Sequence, residues 1–159
     1  MIVVDSSILV AASYSKDIHH GVSSEWIKNN ASAGLATPTL ALCEVSAALS
    51  RRGVSEQVIA SVLGLIENDF EILSVTDELI RAASKVAVRA KTKGADSIFI
   101  AAADSEECGL ATLDKEQAER GALIVQTDYI LLAYAKDEDV KKALERSMEE
   151  HKDMLDKLK

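Results

Sequence analysis

The sequence predicts an α/β domain, a parallel sheet covered by helices on both faces. Two observations predict it. Short runs rich in β-branched residues alternate with stretches of helical periodicity, so each strand is separated from the next by a helical crossover. No repeat or low-complexity linker divides the 159 residues, a length that suits one domain with a substantial core.

Each element follows in order. Ile2, Val3 and Val4 open a first strand over residues 2–5. Helices follow over 7–13 and 20–31, then a short second strand at 35–36. Thr37 and Pro38 predict a helix start, with Thr37 as N-cap and the chain's single proline at the first helical position. That helix runs to Arg52, where Gly53 stops it. Ser55 and Val58 open another, to residue 68, and residues 70–75 form the third strand. Thr76 caps a helix that runs to Thr92 and is ended by Gly94. A helix over 96–107 is broken by Gly109 and leads into strand four at 110–113. A short helix from Lys115 leads to strand five at 122–126, and an amphipathic helix spans 137–158.

A net charge of −8 disfavours a protein that coats nucleic acid through phosphate contacts. It leaves room for an enzyme that gathers its acids in one pocket. No apolar run approaches the roughly 20 residues that span a bilayer. The N-terminus shows no basic segment followed by an apolar one, so no signal peptide and a cytoplasmic setting are expected. Cys43 and Cys108 each lie in apolar stretches and are expected to be buried thiols, neither a disulfide nor a metal pair.

Four carboxylates stand in unusual company. Asp5, in MIVVDSSILVAAS, interrupts the passage from apolar strand to apolar helix. It stands where parallel sheets bind ligands, at the carboxyl end of a strand near a switch point; it is equally suited to cap the next helix. Glu44, in TLALCEVSAAL, has small or apolar neighbours and no Lys or Arg at i±3 or i±4. A carboxylate buried there needs a cation, a hydrogen-bond network or a proton; the alternative is a solvated helix edge. Asp96, in KGADSIFIAAADSEECG, opens an apolar helix and would also suit an N-cap. Asp114, in GLATLDKEQAERG, follows strand four, with Thr112 two residues before it. Four acids converging on one crevice repel one another unless divalent cations neutralise them. Oxygen-only donors select hard ions such as Mg²⁺ or Mn²⁺, and no Cys/His spacing suggests zinc.

These segments, IVVDSSIL, ALCEVSAAL, GADSIFIAAA and ATLDKE, resemble the PIN-domain ribonuclease family, most closely its VapC-like toxin branch. The order and spacing fit from residue 2 to about 126. The resemblance implies a three-layer α/β/α PIN-like fold with a central parallel sheet of about five strands, over residues 1–127. It implies metal-dependent endonucleolytic cleavage of RNA, with Asp5, Glu44, Asp96 and Asp114 as the acidic metal site. Ser7 and Thr112 would support that site by hydrogen bonding. One or two Mg²⁺ or Mn²⁺ ions would be the cofactor, and Asp96 would help take the proton from the attacking water. VapC-like proteins imply a homodimer and an antitoxin partner.

Basic residues around such a site would hold RNA. Arg81, Lys85 and Arg89 recur every four residues and form one stripe on a helix that leads, through Lys91 and Lys93, to Asp96. Arg51 and Arg52 end the helix that carries Glu44. A solvated helix face accounts for the same pattern. His19 and His20 read as surface residues, Trp26 as core, and Asp128 as an unmatched extra acid. Residues 128–159 read as a helical extension whose Leu144, Met148, His151, Leu155 and Leu158 stripe packs on the domain or on a partner.

Other functions fit less well. A non-catalytic PIN-like interaction module is opposed by the presence of all four acids. A haloacid-dehalogenase-type phosphatase needs Asp-x-Asp after strand one, and position 7 is Ser. A receiver domain needs an early acidic pair and a late Lys; strand one offers a single Asp, and strand five is followed by Gln-Thr-Asp.

Overall fold

In a computed structural model of the protein, residues 1–131 are described. The chain runs β1 (Ile2–Val4), α1 (Ser6–Ser13), α2 (His20–Asn30), a 3₁₀ turn (Ala31–Ala33), β2 (Leu35–Pro38), α3 (Leu40–Arg51) and α4 (Glu56–Asp69). It continues through β3 (Glu71–Leu73), α5 (Asp77–Ala90), α6 (Gly94–Ser105), β4 (Gly109–Thr112), α7 (Lys115–Gly121) and β5 (Thr127–Tyr129). The five strands form one parallel sheet in the order β3-β2-β1-β4-β5, the middle layer of a three-layer α/β/α fold.

β1 is central, and that explains its composition. Val3 pairs with Ala36 on one side and Leu110 on the other, and Val3 and Val4 are completely buried. The chain builds outward from β1 through β2 and β3, then returns to lay β4 and β5 on the opposite side. The switch point therefore lies between the carboxyl ends of β1 and β4. α6 packs against β1, β4 and β2, and its Phe99, Ile100, Ala101, Ala102 and Ala103 are all buried. The small residues let the helix approach the sheet closely. Thr76 caps α5 by accepting the Leu79 N–H at 3.2 Å.

Four expectations are corrected. Thr37 and Pro38 do not start a helix; they end β2, Pro38 pairs with Leu73, and α3 starts at Leu40. Proline is tolerated because β1 has ended there: Asp5 turns its N–H to Ala111 of β4 at 2.9 Å. Gly94 opens α6, while Lys91, in the left-handed region at φ 53°, ends α5. Residues 122–126 are not the fifth strand. Ile124 and Val125 donate to the Gly121 carbonyl in a turn after α7 and pack on the core, and Thr127–Tyr129 pair with β4. Cys43 is exposed and Cys108 half-buried, because α3 turns Ala41, Val45 and Leu49 inward and Cys43 away. Asp128 lies in β5, and Ile130 is in the core. The amphipathic helix expected over 137–158 lies outside the described residues.

Candidate metal centre

Asp5 occupies the switch point. It follows β1 directly, caps α1, and is 6% exposed. Three donors hold its carboxylate. The Ser7 N–H reaches Oδ2 at 3.0 Å, the Thr112 hydroxyl reaches Oδ2 at 3.2 Å, and the Gln117 side-chain amide reaches Oδ1 at 3.2 Å. All three are neutral, so they orient the carboxylate without discharging it.

The carboxyl end of β4 supplies the facing wall. Thr112 is fully buried, and its hydroxyl also accepts the Asp114 N–H at 2.9 Å. Ser7 Oγ accepts the Leu113 N–H at 3.1 Å and lies 3.5 Å from the Thr112 hydroxyl, which ties α1 to β4. Asp114 caps α7 by accepting the Gln117 N–H at 3.1 Å. The capping reading and the position beside the other acids thus hold together for both Asp5 and Asp114.

Asp96 lies in the first turn of α6, and its Oδ2 is buried with no hydrogen-bond partner. Burial raises its carboxyl to about 6; Lys93 opposes the rise, and the charges of Asp114, Asp5 and Glu44 add to it. Glu44, half-buried on α3, is also raised, first by burial; the Ser6 hydroxyl pulls the other way and the Asp5 charge adds. The four acids therefore share one electrostatic neighbourhood. Among the described residues, no three His, Cys, Asp or Glu side chains stand close enough to grip one metal ion together. The donor set fits a hard divalent cation that keeps several of its own waters and binds one or two carboxylates directly. Asp96 Oδ2, buried without a partner, is the atom most in need of such a neighbour.

The basic residues separate. Arg81, Lys85 and Arg89 are exposed on α5 and form no ion pair among the described residues. Lys91 is exposed at the end of α5. Lys93, at the N-cap of α6, pairs with Glu116 at 3.6 Å, and its charge is felt at Asp96. Elsewhere, Trp26 is core, and its Nε1–H donates to Asp128 at 3.1 Å, which accounts for that acid. His20 is not a free surface residue: its Nδ1 lies 3.1 Å from the Ala11 carbonyl and ties α2 to α1.

Sequence reasoning passed over Gln117. It is 1% exposed, donates to Asp5, and leaves its Oε1 without a partner. The signal was the spacing D-x-x-Q from Asp114, which has the form of a capping box. Its backbone N–H makes the capping bond, while its amide turns inward to Asp5.

The chain matches the PIN domain family model over residues 2–123. No curated protein matches it in sequence. Among solved structures it is similar to VapC20 of Mycobacterium tuberculosis, a sarcin–ricin-loop-cleaving toxin, with TM-score 0.67 and 19% identity over 76% of this chain and 95% of that one. It is similar to VapBC2 of Rickettsia felis, solved bound to a promoter DNA fragment, with TM-score 0.63 and 16% identity over 80% of this chain and 98% of that one. It is also similar to PAE2754 of Pyrobaculum aerophilum, with TM-score 0.57 and 26% identity over 82% of this chain and 85% of that one. The family match runs from β1 to just past α7 and takes in every residue of the acidic switch point: the chain belongs to the PIN domain family.

Proposed function

We propose that the chain is a divalent-metal-dependent endoribonuclease, acting on RNA at the Asp5 end of its sheet, and the toxin of a toxin–antitoxin pair. One observation carries the chemistry. Four acids share a neighbourhood in which no described ion pair involves any of them, and Asp96 Oδ2 is buried with no partner. Such a site attracts a cation. Asp5 and Asp96 would hold Mg²⁺ or Mn²⁺, with Glu44 and Asp114 contributing directly or through water. The ion would supply a bound water of lowered pKa and would stabilise charge developing on the phosphate.

The chain's own residues do the rest. Ser7, Thr112 and Gln117 fix the Asp5 carboxylate in one orientation. Thr112 holds the Asp114 backbone in place. The Asp96 carboxylate would help take the proton of the attacking water, through the oxygen that does not meet the ion.

The likeness to VapC20, to VapBC2 and to a toxin–antitoxin complex of Klebsiella pneumoniae supports the toxin role and an antitoxin partner; a homodimer is proposed with them. Residues 1–127 are proposed as the nuclease unit and 128–159 as an extension that starts within β5 and packs on the domain or a partner. A cytoplasmic setting is part of the same reading. No helix among the described residues is long and apolar enough to cross a membrane.

A second reading, a non-catalytic PIN-like interaction module, is favoured by the lack of any ready three-residue metal grip among the described residues. Purified protein incubated with labelled RNA, with and without Mg²⁺ or Mn²⁺, separates the two. The expected result is metal-dependent cleavage that is lost in folded Asp5→Asn and Asp96→Asn. Absence of both cleavage and calorimetric metal binding in the unmodified chain would shift the assignment to the interaction module.

A further inference from the structure

We infer that the cleft between α1 and α3 is a substrate subsite that takes a nucleotide of single-stranded RNA beside the scissile phosphate, with Arg51 as its phosphate contact. This inference rests on the ribonuclease reading of the adjoining acids. The cleft has a volume of about 410 Å³, within the range of ligand pockets and suited to one nucleotide.

Its position follows from two helix faces. Ser7 and Leu113 line one end, and these two residues also tie α1 to β4 beside Thr112 and Asp5. From there the cleft follows Ser7, Val10 and Ala11 on α1, spaced i, i+3 and i+4. The opposite wall is Ala48 and Arg51 on α3 and Arg52, which caps that helix. Glu44 lies four residues before Ala48 on that helix, so α3 presents an acid to the metal centre and Arg51 two turns further on, about 10 Å along its axis. An RNA strand whose scissile phosphate lies at Asp5 has to leave over some surface. This cleft begins at Ser7.

The charges in the cleft are not equivalent. Arg52 is already answered: its Nη2 lies 3.1 Å from Asp17 Oδ2, and its guanidinium sits 5.3 Å from the Tyr14 ring centroid. Asp17 in turn accepts the His19 N–H at 3.0 Å, so this group builds the wall. Arg51 pairs with no carboxylate among the described residues. In a chain of net charge −8, a guanidinium with no carboxylate partner among the described residues, in a cleft that begins at Ser7, two residues from Asp5, gives a polyanion its foothold. Val10 and Ala11 are buried and offer the base or ribose an apolar floor with no hydrogen-bond readout.

The test uses the full chain carrying Asp5→Asn, to prevent cleavage, and a fluorescent single-stranded RNA oligonucleotide. Loss of one phosphate contact lowers affinity about eightfold at 50 mM salt and about fourfold at 150 mM, and lowers the slope of log affinity against log salt by about 0.7. Arg51→Gln is expected to show this loss and Arg51→Lys to restore most of it. Lys28→Gln, on α2 and not lining the cleft, is expected to bind as the parent does. If Arg51→Gln keeps the parent's affinity and salt slope while the unmodified chain cleaves RNA, the subsite is refuted and the nuclease reading stands. If the unmodified chain neither binds nor cleaves RNA, the nuclease reading fails and takes the subsite with it. If RNA affinity is unchanged but a synthetic acidic peptide binds the parent and not Arg51→Gln, the cleft belongs to protein and the assignment is overturned.

Discussion

Replacing Thr112 by valine tests whether the switch point is held by its hydroxyl or merely by its shape. The two side chains are nearly isosteric, and position 112 is fully buried, so packing changes little. The hydroxyl makes two hydrogen bonds, donating to Asp5 Oδ2 at 3.2 Å and accepting the Asp114 N–H at 2.9 Å. A hydrogen bond to a charged group contributes about 1.5–3 kcal/mol, and a buried donor left without a partner costs about 1–3 kcal/mol. Asp5 keeps its bonds to Ser7 and Gln117, which places the sum toward the low end, about 2–4 kcal/mol. At about 2–4 °C per kcal/mol for a domain of this size, the melting temperature falls by roughly 5–15 °C. Thr112→Ser keeps the hydroxyl and loses a methyl, a cost of about 1 kcal/mol. Thermal denaturation of both variants in a chelating buffer at pH 7 measures the difference without reference to any activity. Equal melting temperatures for the valine and serine variants would refute the reasoning, because shape alone would then account for the residue.

Asp96→Asn is expected to stabilise the metal-free protein while it abolishes cleavage. Burial holds the Asp96 carboxyl at about 6 against an ordinary 3.8, so its ionised form costs stability that appears as pH rises from 3.8 to about 6 and is complete above that. Solvent screening at this half-buried position reduces the cost to about 1 kcal/mol. The variant should melt above the unmodified chain at pH 7.5 and with it at pH 3.5; a lower melt at pH 7.5 would contradict this. Gln117→Leu removes both the donor to Asp5 and the unpartnered Oε1, so stability should shift by less than about 1 kcal/mol. Mn²⁺ affinity and cleavage should each fall about tenfold to hundredfold, and unchanged Mn²⁺ affinity would reduce Gln117 to packing. Lys91→Gly relieves the left-handed backbone at the end of α5 and should raise stability by about 0.5–1 kcal/mol in chemical denaturation.

The order of strands and helices was legible because burial leaves a local trace. β1 is covered on both faces and reads as an unbroken apolar run, and α6 reads as apolar almost all round. The misreadings came where a local rule met a distant partner. Pro38 at a helix start is a sound local preference, but its place is set by β1 ending before it and by Leu73 beside it. The apolar residues 123–125 resemble a strand, yet they fill a turn. Polar Thr127 and Asp128 are strand because Leu110 and Ala111 pair with them, and Trp26 holds Asp128 across 102 residues of sequence. Asp5 and Asp114 showed themselves by standing at strand ends. Gln117 did not, because what distinguishes it is a bond to a residue 112 positions away.

The charge economy of the switch point explains why its supporting residues are of the kind they are. A carboxylate buried at the end of a strand can be satisfied by a cation of the protein or by neutral donors. An arginine would hold Asp5 more firmly and would also neutralise it, leaving no attraction for an incoming ion. Ser7, Thr112 and Gln117 orient the carboxylate and leave its charge intact. The described ion pairs follow the same division: Asp17, Glu116 and Glu119 take the cations, and Asp5, Glu44, Asp96 and Asp114 take none. Asp96 is then the residue on which the mutual repulsion falls, because it combines burial with the charges of the other three. Neutral donors hold a capping carboxylate as well, so what sets this end of the sheet apart is that the charges of three other acids reach the half-buried Asp96. Asp5 and Asp114 cap their helices, and the proposed ion site rests on the acids placed beside those caps.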